Sequence, residues 1–379
     1  MKILQALFFP PEQPGGVSSM VPYIQEKFQQ MGWDMELFSL PKRIRNKGTE
    51  EFNFSTFDAN PYKGKPTVDK YLQTLKDYYW FADMRLRNTS YDIIHAHHPI
   101  AALVMKRLFP DTPVLMTLHS SYERELVLNG KIEDGGLEYQ FLTSLYRELE
   151  AQTNRIITVS HSFKAFIAPY LEHPEQVQVI PNGFDPNRFK PIEHDNAVPQ
   201  IVTLCRLVKA KGLDTLFAAL SELKKRNKPF VLHLIGDGPM RQELEKMADE
   251  LGIYDETIFY GYMLHPEELM PFFDIFVLPS RAEAFGNVFA EAALCWLALV
   301  GTNVGGIAEQ IHDGVNGLLV PVDDVKALAD ALEKMVSEPE YRRKMAKAAY
   351  ERARKYSSID RVISELEQVY QTYRADLPV

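Results

Sequence analysis

The sequence predicts an α/β protein of two Rossmann-like domains, each a doubly wound parallel sheet, facing each other across a cleft. Three observations carry this prediction. The chain has 379 residues, 46% of them hydrophobic, which is more than one core usually serves. Short apolar, β-branched runs alternate with amphipathic stretches from end to end, as in βαβ units whose crossover helices cover both faces of a sheet. A proline-rich segment of little periodicity, 181–199, separates two halves of similar pattern.

The first domain opens on the strand "ILQALFF". A helix follows in which Val21, Ile24 and Phe28 recur at helical spacing and Gly32 serves as the stop. "MELFSL", "DIIHA", "PVLMTLH", "RIITVS" and "VQVI" read as its remaining strands. Beyond the linker the strands are "QIVTLC", "FVLHLIG", "TIFYG", "DIFVLPS", "LALVGT" and "NGLLVP". The stretch after Pro339 is purely helical. No strand follows it, so its last part, 358–379, is expected to pack back on the first domain. The expected division is 1–185 with that helix, and 186–357.

Composition excludes several classes. A net charge of −9 disfavours a nucleic-acid partner, whose phosphates would meet a negative surface. No 18-residue apolar window and no export signal are visible, so a soluble, cytoplasmic protein is expected. Cys205 and Cys295 lie in apolar runs and read as free buried thiols. The basic cluster "KRIRNK", Lys42 to Lys47, has two readings: a solvated loop, or peripheral contact with an anionic membrane or acidic acceptor.

In doubly wound sheets the ligand sits beyond the carboxyl ends of the strands, so the residues after each strand carry the chemistry. Gly15 and Gly16 open the first helix, where bare backbone can approach a phosphate or sugar. His95, His97 and His98 invite a metal reading. Strand alternation would put His98 opposite the other two and no carboxylate stands at ligand spacing, so no metal is expected. His119, at a strand end, can bind a hydroxyl. Arg206 and Lys211 lie between a strand end and a helix starting near Gly212, the cations a diphosphate needs. Gly236 and Gly238 punctuate the next strand-to-helix turn, and Tyr262 and Met263 follow another strand, where main-chain groups could meet a base.

"EAFGNVFAEA" then sets Glu283 on a loop and Glu291 on the following helix, with Phe285, Gly286, Asn287 and Val288 read as its first turn. The two carboxylates can accept hydrogen bonds from the hydroxyls of two polyol rings, and the N–H groups between them can hold a diphosphate.

Glu283 to Glu291, the runs "IPNGFD", "RLVKAKG" and "LIGDGP", the segment "GTNVGGIAEQIHDGVNGLLV", His119 and Gly16 together resemble retaining glycosyltransferases of family 4, across essentially the whole chain. The resemblance implies the GT-B fold, with 1–185 as the acceptor-binding domain and 186–357 as the nucleotide-sugar donor-binding domain. It implies transfer of a sugar, with retention, from a nucleotide diphosphate sugar, UDP-sugar favoured, to a hydroxyl of a sugar, a lipid-linked molecule or a small molecule. It further implies that Arg206 and Lys211 bind the diphosphate, Glu291 the ribose, and Glu283 with the backbone of Phe285 to Val288 the sugar. His119 would contact the sugar near the reaction centre and Gly16 would approach the phosphate from the other domain, with no metal or other cofactor; Met263, from its place after a strand, is expected in the donor site. Asn287 stands where the family usually has leucine or isoleucine, which bears on sugar selectivity. The rival readings are a non-catalytic nucleotide-binding scaffold, a sugar-nucleotide epimerase and a phosphorylase.

Overall fold

Each apolar run overlaps a strand in the computed structural model, which describes residues 1–11, 16–41 and 48–374. The chain divides into two units, Met1–Gly183 with Ile359–Val379, and Phe184–Ser358.

In the first unit the order is β1 (Lys2–Ala6), α1 (Gly16–Gln30), β2 (Asp34–Phe38), α2 (Pro66–Leu86), β3 (Ile93–Ala96) and α3 (Pro99–Leu108). It continues through β4 (Val114–Leu118), α4 (Tyr122–Leu128), α5 (Leu137–Gln152), β5 (Arg155–Thr158), α6 (His161–Ile167) and β6 (Gln178–Val179). The strands form one sheet in the order β2-β1-β3-β4-β5-β6, paired in parallel throughout. Every position of β3 and β4 is buried, as expected of strands covered on both faces.

The second unit runs β7 (Gln200–Leu204), α7 (Leu213–Lys225), β8 (Val231–Ile235), α8 (Arg241–Glu250), β9 (Thr257–Gly261) and β10 (Ile275–Leu278). Then come α9 (Asn287–Leu294), β11 (Ala298–Thr302), α10 (Ile307–Gln310), β12 (Leu318–Val320), α11 (Val325–Ser337) and α12 (Pro339–Tyr356). Its parallel sheet is ordered β12-β11-β10-β7-β8-β9. The last helix, α13 (Ile359–Arg374), belongs to the first unit.

Each sheet therefore has one place where successive crossovers leave in opposite directions: β1 beside β3 in the first, β7 beside β10 in the second. At such a point the loops splay apart and open a crevice.

The core of the first unit explains why α13 returns to it. Val21, Ile24 and Phe28 of α1 pack in one cluster with Ile3 of β1 and with Val362, Leu366 and Tyr370 of α13. Burying each such side chain contributes about 1.5–3 kcal/mol, so the helical spacing of apolar residues becomes a packed interface. Both cysteines are free, Cys295 buried and Cys205 half-buried.

Candidate active site

In the second unit the strand ends at the switch point carry the charged residues. β7 runs into Cys205 and the exposed Arg206, and a short turn, Lys209–Lys211, leads through Gly212 into α7. β10 runs into Pro279, Ser280 and Arg281. Arg281 N donates to the Ala210 carbonyl of the β7 loop at 2.8 Å, and its guanidinium bonds both carboxylate oxygens of Asp214 in the first turn of α7, at 2.8 and 2.9 Å, and Asp323 at 2.8 Å. Held in this way, Lys211 Nζ forms an ion pair with Glu283 Oε1, and Ser280 Oγ donates to the same oxygen at 3.0 Å. The two charged side chains are only 16% and 13% exposed. Two residues assigned separate tasks from sequence are thus one pair.

Glycine makes this packing possible. Gly305 has φ +51°, and a Cβ there would lie 1.8 Å from the Glu283 carbonyl oxygen. The 303–306 turn can therefore press flush against the loop that presents Glu283, and Gly306 N donates to that carbonyl at 3.1 Å.

Gly286, with φ +86°, caps α9, whose first helical residue is Asn287. This corrects the sequence reading for Phe285, which precedes the helix. Its ring is 2% exposed and stacks on Phe184 and Tyr356, at 6.5 and 6.3 Å between centroids. An aromatic ring cannot stay in the solvated first turn when a hydrophobic slot is open beside it. Val288 lies in that turn, and Glu291 one turn past Asn287.

Burial pushes the half-buried Glu291 carboxyl up to about 7, the nearby Arg188 guanidinium opposing this and the Glu267 carboxylate adding to it. Arg188 and Glu267 form a two-pronged pair at 3.1 and 3.2 Å. Met263 is half-buried in the loop after the edge strand β9.

Arg188, Glu267 and Ser280 escaped the sequence reading. Arg188 sits in the linker, Glu267 in "HPEEL" and Ser280 before an arginine, and none carries a pattern of its own.

In the first unit the switch point gathers histidines. His97 Nε2 lies 2.7 Å from Gln5 Oε1, and His97 Nδ1 lies 3.0 Å from His119 Nε2. Gln5 Nε2 donates to the Tyr370 hydroxyl at 3.1 Å, which meets His95 Nδ1 at 2.7 Å, and His95 Nε2 meets Thr117 Oγ1 at 2.7 Å.

The amide oxygen of Gln5 can only accept, so His97 carries its proton on Nε2 and leaves Nδ1 bare. His119 must then donate through Nε2, which leaves its Nδ1 an acceptor. That nitrogen is buried and without a hydrogen-bond partner. Burial pushes His95 and His119 down to about 3 and His97 well below its ordinary range, so the network is neutral near pH 7.

His98 departs from strand alternation because the chain has already turned. It caps α3, its Nδ1 accepting from Ile100 N at 3.2 Å, and its ring stacks on Phe8. Among the described residues no group of three or more His, Cys, Asp or Glu could hold a metal ion. Gly16 starts α1, the helix that follows β1 in sequence, while Gly15 and Lys42 to Lys47 lie outside the described residues.

Comparison with known proteins bears on both halves. The family model "Glycosyltransferase Family 4" matches residues 14–188, and "Glycosyl transferases group 1" matches 184–352. D-inositol 3-phosphate glycosyltransferase 1 of Catenulispora acidiphila is 26% identical over 369 residues, 89% of this chain and 87% of its own length. Glycogen synthase of Mycobacterium tuberculosis is 29% identical over 289 residues, 74% of this chain and 68% of its own. Alpha-D-kanosaminyltransferase of Streptomyces kanamyceticus is 34% identical over 162 residues, 42% of each chain, so the match spans less than half of that relative's length.

Among solved structures, sucrose-phosphate synthase from Thermosynechococcus elongatus superposes with TM-score 0.83, at 20% identity and 100% coverage of both chains. Anabaena HepE, in complex with UDP and glucose, superposes with TM-score 0.75 at 19% identity, covering 98% of this chain and 100% of its own. These likenesses show the fold.

Proposed function

Because this chain belongs to glycosyltransferase family 4, its two halves matched by consecutive family models over 14–352 and its fold GT-B, we propose that it transfers a sugar, with retention, from a nucleotide diphosphate sugar to an acceptor hydroxyl. The observation that carries this reading is the Lys211–Glu283 pair at the β7/β10 switch point, with Glu291 on the helix that follows β10. A UDP-sugar is the favoured donor, supported by HepE, whose structure contains UDP and glucose.

In this reading Arg206 and Lys211 neutralise the charge that grows on the departing diphosphate. Glu283, tied to Lys211, accepts hydrogen bonds from the sugar, and the amides of Gly286 to Val288 support it. Glu291 accepts from the ribose and main-chain groups near Met263 meet the base. Gly16 approaches the phosphate, and His119 offers Nδ1 to a hydroxyl.

The bond from the anomeric carbon to the phosphate oxygen breaks and a bond from that carbon to the acceptor oxygen forms on the same face. The acceptor's proton passes to the leaving phosphate oxygen. The cations and helix amides already offset the diphosphate charge, so no metal or other cofactor is required and turnover persists in EDTA.

No helix among the described residues is long and apolar enough to cross a membrane. Peripheral attachment of a cytoplasmic enzyme at the inner membrane face through Lys42 to Lys47 remains part of the proposal. It predicts co-sedimentation with anionic vesicles at low salt, lost when those cations become serine.

The test of function is incubation with UDP-, GDP- and ADP-sugars. Slow donor hydrolysis without acceptor, at the anomeric bond and with retained configuration, is expected. Inversion at C2 of the sugar would instead mark an epimerase, phosphate-dependent cleavage of a glycoside a phosphorylase, and binding without turnover a scaffold.

A further inference from the structure

Gln5 on β1 is buried, and its single amide joins two branches of hydrogen bonds that run to three histidines. An amide oxygen can only accept and an amide nitrogen can only donate, so the branches are not independent. On one side Gln5 Oε1 accepts from His97 Nε2 at 2.7 Å, and His97 Nδ1 accepts from His119 Nε2 at 3.0 Å. On the other side Gln5 Nε2 donates to the Tyr370 hydroxyl at 3.1 Å, which leaves that hydroxyl its own proton for His95 Nδ1 at 2.7 Å. His95 then donates from Nε2 to Thr117 Oγ1 at 2.7 Å.

Burial keeps all three imidazoles neutral near pH 7, so each has one proton to place. Only two arrangements make every one of these bonds. With Gln5 as it lies, His95, His97 and His119 are all protonated on Nε2, and His119 Nδ1 is an acceptor. With the amide turned over, each bond reverses, all three are protonated on Nδ1, and His119 Nδ1 becomes a donor. A mixed state sets two donors or two acceptors against each other in a buried site, where an unmade hydrogen bond costs the desolvation of both groups.

We propose that Gln5 is a positioning residue for the transfer: one amide, held by Tyr370 of α13, sets the protonation of three histidines together and so keeps His119 an acceptor. The use of His119 by a hydroxyl rests on the function proposed above; the coupling of the three rings rests on the hydrogen bonds alone.

The two can be tested apart, because nitrogen NMR of the full chain labelled with 15N-histidine reads the protonated ring nitrogen without donor or acceptor. At pH 7 His95, His97 and His119 are each expected as a single Nε2–H form. Gln5→Met, which removes the amide, is expected to show both forms at His97 and His119 and to slow turnover of the nucleotide sugar hydrolysed in the panel above roughly twofold to tenfold. Should that variant not fold, Tyr370→Phe releases the same amide by deleting one oxygen. It is expected to mix the His119 forms although the bonds of Tyr370 are to Gln5 and His95. Gln5→Glu keeps an acceptor for His97 and should hold His119 in the Nε2–H form with turnover near that of the wild type, a rescue that a merely space-filling Gln5 would not require.

An Nδ1–H form at any of the three in the wild type overturns the inference. So does a His119 form that is unchanged in both Gln5→Met and Tyr370→Phe, or lost in Gln5→Glu. Mixed forms with unaltered turnover overturn the positioning role and leave the proposed function standing. The expected forms in a protein that turns over none of the nucleotide sugars support the coupling and overturn the proposed function.

Discussion

Glu291 has a carboxyl at about 7 where its ordinary value is 4.5, and two pH dependences of opposite sign follow. Between those values the folded chain holds a proton that the unfolded chain has released, so this group's contribution to stability falls as pH rises from about 4.5 to about 7. Its ability to accept hydrogen bonds from a ribose diol runs the other way, because the ionised carboxylate is the stronger acceptor. Titration calorimetry with UDP is therefore expected to show affinity rising several-fold from pH 6 to pH 8. Glu291→Gln should flatten that profile and Glu291→Ala should weaken binding throughout; a flat wild-type profile would remove the role.

The pair beside it makes a separate prediction. Lys211→Met should lower kcat on the order of 10²-fold, by taking away a cation needed most when the diphosphate leaves. Glu283→Gln should lower it too, and because the residues share one ion pair, the double variant should lose less than the sum of the single effects. Additive losses would mean that the pair does not act as a unit.

The elements show how such side chains are held. β7 and β10 are adjacent, and their loops are joined by Arg281 N to the Ala210 carbonyl and by Lys211 to Glu283, while the Arg281 guanidinium anchors to Asp214 in α7. The turn before α10 closes the arrangement through Gly305, where a methyl group would have to occupy the Glu283 carbonyl. Gly305→Ala combines positive φ with overlap of backbone, at a cost of about 2–4 kcal/mol. Urea denaturation should register that loss, and UDP affinity should fall with it because the loop carrying Glu283 must shift. An unchanged denaturation midpoint would mean that the turn is looser than its geometry.

For the whole molecule, the consequence lies in α13, the last element in sequence and part of the first unit's core. Ile359, Val362, Ile363, Leu366, Val369 and Tyr370 all join that core. At about 1.5–3 kcal/mol each, their burial is comparable with the entire stability of a typical domain, about 5–15 kcal/mol. A chain ending at Ser358 should therefore lose the amide protection of β1 and β3 in hydrogen exchange, while retaining it in β7 and β10. Protection persisting in β1 would show that the sheet stands without the helix.

What the sequence determined by itself was the architecture and the chemical types at the strand ends. Apolar runs and helical spacing repeat at short range, so each strand was visible from its own neighbours, and the GT-B class and the family followed from motifs such as Glu283 to Glu291. Local pattern did not reach pairings between distant residues. That Lys211 meets Glu283, that Arg188 meets Glu267, and that Phe285 leaves the helix for a slot between Phe184 and Tyr356 depend on which loops the strand order makes neighbours. The same holds for His119. Its position at a strand end was legible, but its protonation is set by Gln5 on β1, through His97, and Gln5 in turn bonds Tyr370 on α13. Hydrogen bonds join whatever groups the fold brings within about 3 Å, however far apart they stand in the chain, and only the tertiary structure decides that.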